Sequence, residues 1–189
     1  MSYLLDANVF IQAKNLHYGM DFCPAFWDWL LDANGKGKVF SVESVGDELQ
    51  GIADELSDWA GDLDDRFFLK SEAALLPALA QVSTWATGAD YEPAAVNTFL
   101  QAADYYLVGH DLAYGDTVVT HEVASGSKKK IKMVQRRYGR RGSVSLASAG
   151  SRVITSSPDS PAFTQATHRH CRTTRPATRR AWHTGQRCS

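Results

Sequence analysis

The sequence predicts an α/β fold, three-layered, with a central and mainly parallel sheet flanked by helices. Three observations carry that expectation. Short apolar runs alternate with helix-forming segments along residues 1–133, the alternation expected of strand–helix–strand units. The runs Tyr3 to Leu5, Val39 to Val42 and Thr117 to Thr120 are largely apolar or β-branched, as strands covered on both faces are. No internal repeat is visible, so a solenoid or propeller is excluded.

Taken in order, Tyr3 to Leu5 with Val9 to Ile11 reads as a buried strand interrupted at Asp6-Ala7-Asn8, where a turn into a helix is plausible. DFCPAFWDWLLDANGKGK follows, with Pro24 suited to a first helical turn and a glycine-rich stop at Asn34 to Gly37. Val39 to Val42 is the second strand. Ser44 to Ala60 then reads as one helix, because Val45, Leu49, Ile52, Leu56 and Trp59 recur at spacings of three and four. Phe67-Phe68-Leu69 suggests a third strand. Glu72 to Trp85 is rich in helix formers, and Pro77 is expected to kink or split it. Pro93 to Leu100 and Ala103 to Tyr114 give two further helices, with Gly115-Asp116 as the stop before the strand Thr117 to Thr120.

A chain of 189 residues with 44% hydrophobic side chains fits one domain of ordinary size with a tail. Cys23, Cys171 and Cys188 form no CxxC pair, and the odd count reads as reduced thiols. No window approaches the roughly 18 apolar residues of a membrane span, and Asp6 arrives before a leader pattern can develop. A cytoplasmic protein with no membrane partner is therefore expected.

The net charge of −1 conceals two compositions. Residues 1–133 carry 9 basic against 20 acidic residues, a net of −11, whereas residues 134–189 carry 11 Arg, no Lys and only Asp159, a net of +10. Arg, Ser and Thr make up 26 of those last 56 residues, and apolar periodicity ends there. The organisation that follows is a domain over 1–133 and an Arg/Ser/Thr-rich tail over 134–189 that supplies no core element.

Open parallel sheets bind ligands beyond the carboxyl ends of their strands. Asp6 ends the first strand, Glu122 follows the late strand TVVTHE, Glu48 lies early in the helix after Val42, and Asp104 opens ADYYLVGHDLAYG. Four carboxylates thus have a route to one edge. Like charges that close repel unless a cation intervenes, and an all-oxygen donor set suits Mg2+ or Mn2+ rather than zinc. A site of that kind activates water and neutralises phosphate, the requirements of phosphodiester cleavage.

LLDANVFI, ELQG, ADYYLVGHDLAYG and VVTHE, in that order, resemble the four motifs of the PIN-domain ribonucleases, most closely a bacterial branch grouped with the toxins of type II toxin–antitoxin pairs. In that family's pattern an apolar strand ends in Asp-x-Asn, matched by Asp6-Ala7-Asn8. A Glu at a helix start is matched by Glu48, with Asp47 as the neighbouring alternative. The third motif is an Asp leading a helix, matched by Asp104, and the fourth is an acid two positions after a strand-ending threonine, matched by Glu122, where many members have Asp.

The resemblance implies a PIN-like fold and a metal-dependent endoribonuclease toxin, in which Asp6, Glu48, Asp104 and Glu122 hold Mg2+ or Mn2+ and a metal-activated water attacks RNA. Asn8 would orient Asp6 or that water. The implied partners are an RNA substrate, a cognate antitoxin protein and a second copy in a homodimer. The alternatives are a structure-specific DNA nuclease with the same site, or a catalytically silent PIN-like binding module.

Other residues have plainer readings. Asp6 could only cap a helix, Asp104 likewise, and Glu48 could belong to a solvated acidic face. His110 and His121 read as packing or surface residues, and Phe26, Trp27 and Trp29 as core. Lys128, Lys129, Lys130 and Lys132 could meet RNA phosphates or form a solvated loop. His168, His170, Cys171, His183 and Cys188 imitate a zinc site without its spacing. PIN domains normally continue past the fourth acid into another strand, often with a closing helix. After KKKIKM this chain does not, and the expectation is a tail that is disordered or frame-altered, with the sheet edge left unfilled. The alternative reading frames downstream of the Met133 codon are therefore expected to encode a strand-plus-helix pattern; a native tail would show none.

Overall fold

The computed structural model describes residues 2–51, 53–123 and 127–133, and the backbone of 152–155. Its strands are β1 (Tyr3–Leu5), β2 (Val39–Val42), β3 (Phe68–Leu69), β4 (Thr117–Thr120) and β5 (Arg152–Thr155). They form one sheet in the order β3-β2-β1-β4-β5, and every pairing is parallel. Tyr3 pairs with Val39 on one side and Thr117 on the other, placing β1 at the centre. The helices flanking the sheet are α1 (Ala7–Gln12), α2 (Pro24–Gly35), α3 (Glu43–Gln50), α4 (Glu55–Gly61), α5 (Leu76–Gly88), α6 (Pro93–Gln101) and α7 (Ala103–Tyr114). The α/β class with a central parallel sheet is the one the sequence predicts. Among the described residues no helix is long and apolar enough to cross a membrane.

Strand order matters more than strand count here. From β1 the chain moves to β2 and then β3 on one side, and returns to β4 on the other. The order thus reverses between β1 and β4, which opens a crevice at their carboxyl ends.

Several expectations need correction, each for a local reason. Val9 to Ile11 are helical rather than extended: Asp6 keeps extended backbone and its carbonyl accepts the Val9 N–H at 2.9 Å, starting α1 at once. The single helix expected over 44–60 is two. Gly51 donates to the Asp47 carbonyl and closes α3, and the Asp54 carboxylate accepts the Leu56 and Ser57 N–H groups at 2.9 and 3.1 Å, capping α4. An aspartate that satisfies orphan backbone donors offers an alternative to a continuous helix. The apolar period survives the break because Val45, Leu49 and Leu56 enter one core. Ile52 lies outside the described residues. Pro77 neither kinks nor splits a helix. A 3₁₀ turn at Ala73–Leu75 leads into α5, and Pro77 occupies its first turn, where no N–H is needed.

β5 corrects the expectation of an unfilled edge. Arg152–Thr155 pairs residue for residue with Thr117–Thr120, giving hydrogen-bonding partners to the far side of a strand whose four residues are all buried. Four residues are too few for periodicity to reveal. The remainder of the 134–189 tail, including the His and Cys residues that imitate a zinc site, lies outside the described residues. Cys23, read as a reduced thiol, is buried and disulfide-bonded.

The core runs from Leu4 and Val118 in the sheet through Leu107 of α7 to an aromatic group at the other end. There Trp27 meets Trp59 edge-on at 4.9 Å, Phe10 lies 6.1 Å from Phe67, and Tyr18 stacks on Phe26 at 4.3 Å. Phe26 and Trp27 are buried and Trp29 packs against them. Leu107, one turn after Asp104 and fully buried, fixes the facing of α7. Leu107→Ala is expected to cost about 2–5 kcal/mol, read from urea unfolding.

Candidate active site

The site begins where β1 ends. The Asp6 N–H donates to the Val119 carbonyl at 3.1 Å, extending the parallel ladder by one residue and holding the side chain over the carboxyl edge of the sheet. Asp6 as a whole is 2% exposed. Asp6 stands at the cap position of α1, yet its carboxylate makes no capping bond. Its Oδ2 instead accepts from the Thr120 hydroxyl at 2.7 Å and the Asn8 amide at 3.3 Å. Burial of a carboxylate is tolerated when such donors replace water.

Thr120 joins two acids. While donating to Asp6, its Oγ1 accepts the Glu122 N–H at 3.0 Å, which turns the chain after β4. Glu122 Oε2 in turn accepts the Met133 N–H at 3.0 Å, and Oε1 lies 3.9 Å from Lys130 Nζ. On the other flank the Ser41 hydroxyl of β2 donates to the Leu5 carbonyl at 2.6 Å, tying the strand that precedes Glu48 to the strand that precedes Asp6.

A cleft of about 410 Å³ lies over this edge. Asp6, Asn8, Glu48, Asp104 and Glu122 all line it, so the five residues expected from the sequence share one space. Asp47, the alternative to Glu48, is not among the lining residues. Asp104 is no helix cap: α7 is preceded by Ala102 at its cap position, and Asp104 lies within the first turn. His110 is buried against Tyr114, with ring centroids 5.4 Å apart, and neither His110 nor His121 lines the cleft.

The electrostatics show how closely the acids interact. Burial pushes the Asp104 carboxyl up to about 7, with Asp6 and Glu122 adding to the rise, Lys130 opposing it and Glu48 adding further. Glu48 is raised by burial and then by Asp6. Glu122 is raised by burial, offset in part by the Met133 N–H; Asp6 adds to the rise, while Lys130 and Lys132 oppose it. Anions that raise one another in this way are relieved by protons or by a shared cation.

The donor chemistry fits a hard divalent ion such as Mg2+ or Mn2+, since every acidic group on the cleft offers carboxylate oxygen. Among the described residues, no three His, Cys, Asp or Glu side chains stand so as to grip an ion as they are. Asp6, Glu48, Asp104 and Glu122 are the residues that would hold one. Two features went unread in the sequence. Thr120 served only as a marker for Glu122, although a hydroxyl two residues before a strand-end acid signals the bond it makes. The wall formed by Glu92, Ala94, Ala95, Thr98 and Phe99 of α6 and its approach carries no signal beyond ordinary helical amphipathicity.

The chain is a parallel α/β protein whose acidic cleft lies at its strand-order reversal, the place where open α/β sheets bind ligands. Residues 3–137 match the family described as Domain of unknown function (DUF4411), and the chain belongs to that family. No curated protein and no solved structure matches the chain.

A carboxyl raised in the folded state binds protons that the unfolded chain has released, so it stabilises the fold at low pH and that contribution falls as pH rises between the unfolded and folded values. In metal-free protein the melting temperature is therefore expected to fall from about pH 4 to about pH 7 on account of Asp104. Asp104→Asn flattens that slope, and Mn2+ affinity climbs over the same interval because binding requires the deprotonated acid. Thermal melts with and without Mn2+ check both.

Proposed function

We propose that this chain is a metal-dependent endoribonuclease with a PIN-like site, the toxin of a type II toxin–antitoxin pair. The observation that carries the nuclease reading is the meeting of Asp6, Glu48, Asp104 and Glu122 from four separate segments in one cleft. The toxin assignment, the cognate antitoxin and the homodimer rest on the resemblance of LLDANVFI, ELQG, ADYYLVGHDLAYG and VVTHE to the PIN ribonuclease toxins.

When bound, Mg2+ or Mn2+ supplies neutralisation of phosphate charge and acidification of water. The chain's own residues set the rest. Asp6, locked by Thr120 and Asn8, presents its remaining oxygen in a fixed direction. Asp104, with its carboxyl at about 7, can hold or release a proton near neutral pH. Glu122 is oriented by the Met133 N–H, and Glu48 lines the same cleft from α3.

The test is cleavage of a structured RNA by the purified chain with Mn2+, beside Asp6→Asn. Wild type is expected to cut only with the metal, and the variant to lose about 100-fold or more in rate, beyond the 10–100-fold typical of groups that merely support a metal ligand. Equal cleavage by the variant, or cleavage in EDTA, sinks the reading. Metal-dependent cutting confined to DNA favours the DNA nuclease, and RNA binding without cleavage favours the silent module.

A further inference from the structure

An acidic cleft in a body of net charge −11 is a poor place for a polyanion unless cations are placed locally. Four lysines follow the site, and the structure sorts them. Lys128 is ion-paired with Asp90, and Lys132 Nζ donates to the Val123 carbonyl at 2.8 Å. Lys129 and Lys130 line the cleft instead. Lys129 has no ion-pair partner among the described residues. Lys130 lies near Glu122 at 3.9 Å, with its side chain 68% exposed.

The segment bearing this pair is anchored. Ile131 and Met133 are buried in the core, the Lys128 carbonyl accepts the Glu92 N–H at 3.1 Å, and the Met133 N–H is held by Glu122. The cations are therefore presented from a backbone tied at both ends, which limits the ordering cost of binding. On the same cleft α6 offers Ala94, Ala95 and Thr98, side chains too short to fill a space of about 410 Å³, a size suited to a nucleotide-scale ligand.

Resting on the nuclease reading above, we infer that Lys129 and Lys130 form a clamp for the phosphate adjoining the one held at the carboxylates, so that the cleft takes a single-stranded RNA carrying at least two linked phosphates rather than a lone phosphomonoester. Charge contacts to phosphate are indifferent to base identity. The clamp therefore sets the position of the strand and not its sequence.

Counter-ion release makes this measurable. Binding of a labelled single-stranded oligoribonucleotide to the full chain is followed by fluorescence anisotropy across a salt series with Ca2+ present. Each lost phosphate contact makes the slope of log affinity against log salt shallower by about 0.7. Lys129→Gln with Lys130→Gln is expected to reduce the slope by about 1.4, while the Arg-rich tail contributes equally to both proteins. Lys129→Arg with Lys130→Arg keeps the wild-type slope. Lys128→Gln with Lys132→Gln removes the same charge and changes the slope by less than half as much. An unchanged slope in the first pair, or an equal change in the control pair, overturns the clamp. Cleavage read in parallel with Mn2+ separates the two proposals: a lost slope without cleavage leaves the clamp and ends the nuclease reading, and cleavage with an unchanged slope does the reverse.

Discussion

An aspartate that is 2% exposed at the end of a central strand is the constraint on which the site depends. Its hydrogen-bond donors, the Thr120 hydroxyl and the Asn8 amide, are both neutral. They replace water for one oxygen of Asp6 and leave its charge in place. That charge is felt at Asp104, Glu48 and Glu122, each of which is raised by burial with Asp6 among the added causes. A fold that buried Asp6 alone would carry a cost without return. Gathering three more acids around it makes one acidic cleft whose carboxyls act on each other.

The architecture explains why such different parts of the chain meet. Asp6 and Glu122 stand at the carboxyl ends of neighbouring strands β1 and β4, which are 114 residues apart in sequence at the Thr120–Asp6 bond. Glu48 arrives from the helix after β2, and Asp104 from the helix that leads into β4. Parallel strands send all their carboxyl ends to one edge, and reversal of strand order beside β1 opens space there. The same geometry brings the lysine-bearing segment over the cleft, because that segment begins directly beyond Glu122. Acidic and basic residues therefore share one cleft, within a body that is otherwise strongly acidic.

Where sequence reasoning went astray, a local hydrogen bond outvoted a periodic pattern. Asp54 started a second helix within a span that apolar residues at helical spacing had joined into one, and the extended backbone at Asp6 started a helix inside what looked like a strand. In both cases the apolar side chains among the described residues still reached the core, so their spacing recorded burial faithfully and conformation less so. Pro77 marks a beginning and not a break, because it stands in the first turn of α5. β5 was invisible for a different reason: four residues within an Arg/Ser/Thr-rich tail carry too little pattern to stand out.

Residue order alone determined the α/β class, the strands β1, β2 and β4, and the candidacy of Asp6, Asn8, Glu48, Asp104 and Glu122, because apolar runs, helix stops and strand-end acids are encoded within a few neighbouring positions. Tertiary structure decided which readings of those residues survive. Only packing could show that Asp6 and Asp104 cap nothing, that Glu48 rather than Asp47 lines the cleft, that Thr120 bridges two acids, and that two of four lysines turn toward the opening. Each of those outcomes depends on distances between segments that are remote along the chain, and such distances are set by how the sheet orders its strands.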